Sequence, residues 1–94
     1  MLAGERGVVA RRIGRVLNAA GEPVEGAIVA VASGTAPTPE IGIRTGPQGR
    51  FFIALPVGTF RLQARAASGV GGIDVEGGPG EEIVIRLHES NNHT

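Results

Sequence analysis

From Arg50 to Ala66 the chain reads RFFIALPVGTFRLQARA, and no other stretch restricts the possible fold as much. Phe51, Ile53 and Leu55 alternate with Arg50, Phe52 and Ala54. After Pro-Val-Gly-Thr, Phe60, Leu62 and Ala64 alternate with Arg61, Gln63 and Arg65. A strand throws successive side chains to opposite faces, so a period of two marks two strands that each bury one face. A helix would space its apolar residues three and four apart. If the two strands form a hairpin, like faces must stay together. That predicts Leu55 opposite Phe60 and Ile53 opposite Leu62, around a loop from Pro56 to Thr59.

The rest of the chain repeats this pattern of short apolar runs between turn residues. Sixteen Gly and six Pro are spread over 94 residues, and the breaks fall at intervals of roughly 5–12 residues, the spacing of strands and turns. Arg11 to Leu17 is predicted as a first strand and Asn18 to Pro23 as its turn. Gly26 to Ala32 follows as a second strand, with Ala27, Val29 and Val31 on one face. A polar loop from Ser33 to Glu40 is long enough to cross between sheets before a third strand that ends at Thr45. Gly46 to Gly49 is a turn. After the central pair come a short strand at Ile73 to Glu76, the turn Gly77 to Gly80 and a last strand at Glu82 to Leu87. Seven strands with no helical period predict an all-β fold: a seven-stranded antiparallel immunoglobulin-like or transthyretin-like sandwich, with a barrel of the same strands as the alternative. The predicted layout is an N-terminal extension over residues 1–10, the sandwich over 11–87 and a flexible tail over 88–94.

Two runs, IGRVLNAAGEPVEGAIVAV and TGPQGRFFIALPVGTFRLQARAASG, carry a more specific signature in Gly14, Val16, Gly21, Pro23, Gly26 and Ala27, then Thr45, Gly49, Phe51, Pro56, Gly58 and Phe60. In these positions the chain resembles the carboxypeptidase regulatory-like domain family, also called transthyretin-like or prealbumin-like, from Ile13 to Leu87. They are turn and core positions: Gly for positive φ, Pro for a fixed φ, Phe as a bulky anchor between sheets. The resemblance implies an accessory, non-enzymatic module of the kind attached to peptidases, surface proteins or transporters. Three similar families with chemistry of their own require residues this chain lacks. Intradiol dioxygenases hold iron with Tyr and His, and the chain has no Tyr. Hydroxyisourate hydrolases place a His before the Val-Leu pair and end in Tyr-Arg-Gly-Ser; here Arg15 precedes Val16 and Leu17, and the end reads HESNNHT. Collagen-adhesin repeats are locked by a Lys-Asn isopeptide bond, and the chain has no Lys.

Composition narrows the partners. All nine basic residues are Arg, balanced by nine acidic ones, so no net field draws in nucleic acid or an anionic membrane. Arg11, Arg12 and Arg15 form the densest basic cluster but have no aromatic neighbour in sequence for base stacking, so no nucleic-acid partner is expected. Without Cys there is no disulfide, thiolate metal site or thiol nucleophile. Ser33, Ser68 and Ser90 have no base beside them, and the Gly runs lack the helix that a phosphate loop requires, so no catalytic residue and no cofactor are expected. No run of about 18 apolar residues offers a membrane span, and the N-terminus shows no apolar signal region. His88, Glu89 and His93 are too few and too near the end to make a held metal site. Asp74, Glu76, Glu81 and Glu82 flank the Gly77 to Gly80 turn, where a weak calcium site competes with a solvated hairpin end.

One feature points outward. With Phe51 in the core, Phe52 takes the opposite face, where the hairpin register predicts Gln63 as its neighbour and Arg61 and Arg65 as its diagonals. Guanidinium groups over the ring would supply about 0.5–1 kcal/mol of cation–π attraction at an exposed site. Aromatic and Arg side chains together also characterise contact surfaces. The expected function is therefore a non-catalytic accessory module for structural support or protein–protein interaction. Its partner would be another protein or a second copy of itself, met through Phe52, Arg61, Gln63 and Arg65 or through an edge strand. A small carbohydrate- or ligand-binding domain is the alternative, without the Trp or Tyr platforms such sites use; a divergent transthyretin-like hydrolase is the third reading.

Overall fold

Phe51, Ile53 and Leu55 do share one core with Phe60, Leu62 and Ala64, all at most 7% exposed, but they reach it from opposite sides. The computed structural model describes residues 9–36, 38 and 42–89. In chain order the elements are β1 (Val9–Leu17), β2 (Ile28–Gly34), β3 (Ile43–Arg44), a single 3-10 turn (Pro47–Gly49), β4 (Arg50–Pro56), β5 (Thr59–Ala66), β6 (Gly69–Glu76) and β7 (Ile83–Arg86). They form a three-stranded sheet, β4-β1-β7, packed on a four-stranded sheet, β3-β2-β5-β6. The fold is an all-β sandwich. All strand pairs are antiparallel except β1 with β7, which run parallel.

The predicted β4–β5 hairpin is overturned. β4 pairs with β1, Ile53 lying opposite Arg12 and Leu55 opposite Ala10. β5 pairs with β2 and β6, and Phe60 lies opposite Gly34 and Val75. Alternation specifies which side of a strand is buried but not which strand lies beside it. Two strands with inward-facing apolar sets are satisfied equally by pairing in one sheet or by stacking across the core. Here Pro56 ends β4, and the link through Val57 and Gly58, with Gly58 at φ +146°, carries the chain to the other sheet. Gly58 O accepts a hydrogen bond from Gly77 N at 2.7 Å, anchoring this link to the β6–β7 connection.

Other boundaries move by a few residues. β1 starts at Val9 and β6 at Gly69, earlier than expected, because Gly71 and Gly72 lie extended in the ladder opposite Ala64 and Gln63. β3 is only two residues long. Gly46 to Gly49 is a 3-10 turn with Gln48 at φ +62° and Gly49 at φ +72°. Past β7, His88 is not free: it exchanges backbone hydrogen bonds with Val70 of 3.1 and 2.7 Å, closing the β6 and β7 side of the sandwich. The remainder of the expected tail, residues 90–94, lies outside the described residues.

Turn chemistry sets the first crossing. Asn18 Oδ1 accepts from Ala20 N and Glu22 N, both at 2.9 Å, which folds the chain back so that Pro23 bridges to Leu17. Thr45, 2% exposed, then fixes the start of β2 to the end of β3. Its hydroxyl donates to Val24 O at 2.7 Å and accepts from Ala27 N at 2.9 Å. Thr45→Val preserves the shape of the side chain and removes both bonds, so it is expected to cost about 1–2 kcal/mol in chemical denaturation. A variant as stable as wild type would show that this hydroxyl contributes nothing net.

Candidate functional site

The outward residues of β1, β4 and β7 form one continuous surface. β1 presents Val9, Arg11, Ile13 and Arg15; β4 presents Arg50, Phe52 and Ala54; β7 presents Val84 and Arg86. The register places Ile13 opposite Phe52, Arg11 opposite Ala54 and Arg15 opposite Arg50. Ile13 is 50% exposed and Phe52 49%, a pair of large apolar side chains half open to solvent. Arg11 lies over the Phe52 ring, 4.9 Å from its centre, worth about 0.5–1 kcal/mol at such a site.

Charge on this face is one-sided. Among the described residues, the guanidinium groups of Arg11, Arg15 and Arg50 flank the apolar pair, Arg86 lies farther along the same face beside Leu17, and Glu82 is the carboxylate placed by Arg15. Arg15 Nε lies 3.3 Å from Glu82 Oε2, close enough for an ion pair but too poorly angled for a hydrogen bond. Like charges directly opposite each other in a ladder repel, and Arg15 against Arg50 is such a pair. Zero net charge for the whole chain thus hides a basic face, because Glu22, Glu25, Glu81 and Glu89 sit in turns and connections elsewhere.

The residues expected to share a surface with Phe52 do not. Arg61, Gln63 and Arg65 lie on β5, on the outer side of the four-stranded sheet, whereas Phe52 lies on the outer side of the other one. Gln63 stands opposite Ala30 and Gly72, and Arg61 binds Asp74 at 3.0 Å. The error follows from the hairpin: once β4 pairs with β1, the neighbours of Phe52 are Ile13 and Arg11. The mixed outward set of β1, in which Ile13 sits between two Arg, was the available signal.

The carboxylates around the Gly77 to Gly80 turn are dispersed as well. Asp74 is engaged by Arg61 and Glu82 by Arg15. The carbonyls of this connection do converge on a cation, and that cation is a side chain: Arg12, 7% exposed, donates to the carbonyls of Glu76, Gly78 and Glu81 at 2.7, 3.0 and 2.9 Å. Among the described residues no group of three or more His, Asp or Glu is gathered to hold a metal, and His93 lies outside them. Nor is any helix among them long and apolar enough to cross a membrane.

Beside Phe52 a groove of about 680 Å³ opens between β3 and β4, lined by Ile43, Arg44, Gln48, Arg50 and the edge of Phe52. Neither Arg44 nor Arg50 makes an ion pair among the described residues.

The signature glycines and aromatics support this architecture from within: Phe51 lies across Gly14, and Phe60 packs against Gly34. The family model of the carboxypeptidase regulatory-like domain matches residues 13–88. The chain belongs to the carboxypeptidase regulatory-like domain family. No curated protein gives a match. The positions that carry the resemblance in sequence, Gly14, Val16, Phe51 and Phe60 among them, are core and turn positions. Arg11, Ile13, Arg50 and Phe52 are not among them. Membership in the carboxypeptidase regulatory-like domain family therefore accounts for the scaffold, and the face has to be read from its own chemistry.

Proposed function

We propose that this regulatory-like domain is a non-catalytic accessory module that contacts another protein through the outer face of the β4-β1-β7 sheet. The observation that carries the reading is the exposed Ile13–Phe52 pair flanked by the guanidinium groups of Arg11, Arg15 and Arg50. Aromatic and Arg side chains around a small apolar centre match the composition of interaction hot spots. A two-fold face-to-face pairing of this chain with itself is disfavoured, because it would stack two faces of the same sign. The favoured partner is therefore a different protein.

A photo-crosslinking phenylalanine analogue placed at position 52, and separately at position 63 on the opposite sheet, tests this in the cell of origin. Position 52 is expected to give a discrete crosslinked species that position 63 does not. The same pattern from both positions, or none from either, would remove the support for a contact face on this sheet. A species of twice the chain's own mass would point to self-association instead.

A further inference from the structure

Arg15 and Arg50 are held closer than their places opposite each other alone imply. The backbone N of Arg50 donates to Pro47 O, and its O accepts from Gly46 N at 2.9 Å. Both groups therefore point away from β1. In an antiparallel ladder this makes Arg15–Arg50 a non-hydrogen-bonded pair, the kind whose Cα atoms stand about 4.5 Å apart and whose side chains are closest. The same parity holds two residues on, so Ile13 and Phe52 form the next close pair. It also closes this end of β4 to an incoming strand, and a partner must meet the Arg pair through side chains.

The pair is incompletely neutralised. Arg50 makes no ion pair among the described residues. Glu82 approaches Arg15 from the start of β7, yet Arg15 Nε, buried and 3.3 Å from Glu82 Oε2, has no hydrogen-bond partner among the described residues. Other guanidinium groups of the domain are answered: that of Arg12 by three carbonyls and that of Arg61 by Asp74. Two like charges on a close rung are destabilising, and the rung adjoins a half-exposed apolar pair.

We propose that the partner protein seats a carboxylate between Arg15 and Arg50 and lays an apolar side chain beside it on Ile13 and Phe52. The inference rests on the reading that a protein contacts this face. A carboxylate has two oxygens and accepts from two guanidinium groups at once, so it replaces the repulsion across the rung with charge-assisted hydrogen bonds. The two rungs are two residues apart along β1, about 6.6 Å, so the acid and the apolar side chain come from neighbouring positions on one stretch of the partner. An anionic lipid surface suits the face less well. Glu82 lies on it and Glu81 is exposed at its margin, and a broad negative plane would press on both, whereas one carboxylate reaches the Arg pair alone.

The test is a chemical-shift titration of the isotope-labelled protein, read at the Arg Nε–H groups and the backbone amides, with acetyl-Glu-Ala-Leu-amide and with its Gln-Ala-Leu counterpart. The Glu peptide is expected to shift Arg15 and Arg50 Nε–H together with the amides of Ile13 and Phe52, and Arg50→Gln to weaken its binding about fivefold. Arg50→Gln should at the same time raise the melting temperature, because it removes the repulsion; a residue with only a structural role would not lose the peptide while gaining stability. No shift with the Glu peptide at tens of millimolar overturns the inference, as do equal shifts with the Gln peptide or shifts confined to β5 and β6. Co-sedimentation with phosphatidylserine vesicles that Arg50→Gln abolishes overturns it in favour of a lipid phosphate. In the cell, a crosslink from position 52 whose yield is unchanged by Arg50→Gln leaves the contact face standing and removes the carboxylate. No crosslink from position 52 removes both.

Discussion

Phe51→Ala is expected to remove about 3–5 kcal/mol of stability, the cost of emptying a large aromatic site in a packed interior. A domain of this length has roughly 5–14 kcal/mol in all, and three aromatic residues serve the whole chain. Phe51 is 2% exposed and lies directly opposite Gly14 in the β1–β4 ladder, its ring across the glycine where a Cβ would otherwise be. A methyl group at Gly14 would overlap the ring, so Gly14→Ala should itself cost about 1–3 kcal/mol by overpacking. In the Phe51→Ala background the same methyl enters the space left by the ring, and its effect should change sign. The cycle is therefore expected to show a coupling of at least about 1 kcal/mol. Because the chain has neither Trp nor Tyr, urea unfolding is best followed by far-ultraviolet circular dichroism. Additive free energies would show that the ring and the glycine do not depend on each other.

The alternation of Phe51, Ile53 and Leu55, and of Phe60, Leu62 and Ala64, disclosed which side of each strand is buried, and the structure agrees at every one of these positions. It could not disclose the ladder partner. Two inward-facing strands joined by a short link satisfy the same hydrophobic requirement side by side or across a core. Information on that choice lies in the backbone at Pro56 and Gly58 and in the bond from Gly77 N to Gly58 O, which comes from far along the chain. The candidate face inherited the uncertainty. Phe52 was legible as an outward aromatic because Phe51 and Ile53 are inward, but its neighbours depend on pairing, and pairing replaced Gln63 by Ile13 and placed Arg11 over the ring. Charge behaved in the same way: a neutral composition gave no sign that four Arg from three separate stretches would meet on one sheet.

Arg12→Met should cost about 3 kcal/mol, for a reason that composition hides. Arg12 belongs to the same Arg-Arg pair as Arg11, yet the strand period turns it inward, where its guanidinium binds three carbonyls of the β6–β7 connection. Met retains the apolar stem and removes the donors. Two effects then compete: relief from burying an unneutralised charge favours the variant, and three carbonyls that lose a charged donor oppose it. Hydrogen bonds to charged groups contribute about 1.5–3 kcal/mol each. Two of the three are only partly buried, so water recovers some of the loss there, while the bond to Gly78 O is buried. The balance remains a net loss, and its location is specific. The amides of Gly77 and Gly78, which bond to Gly58 O and Leu55 O, should lose hydrogen-exchange protection before β1 and β4 do. Uniform loss of protection across both sheets would mean that Arg12 acts through the core and not through this connection. The same geometry bears on calcium. A guanidinium already occupies the ring of carbonyls, and Asp74 and Glu82 are paired with Arg61 and Arg15, so millimolar calcium is expected to leave the melting temperature of the wild-type protein unchanged. A calcium-dependent rise would require the loop to release Arg12, and it would appear as altered exchange at the same two glycines.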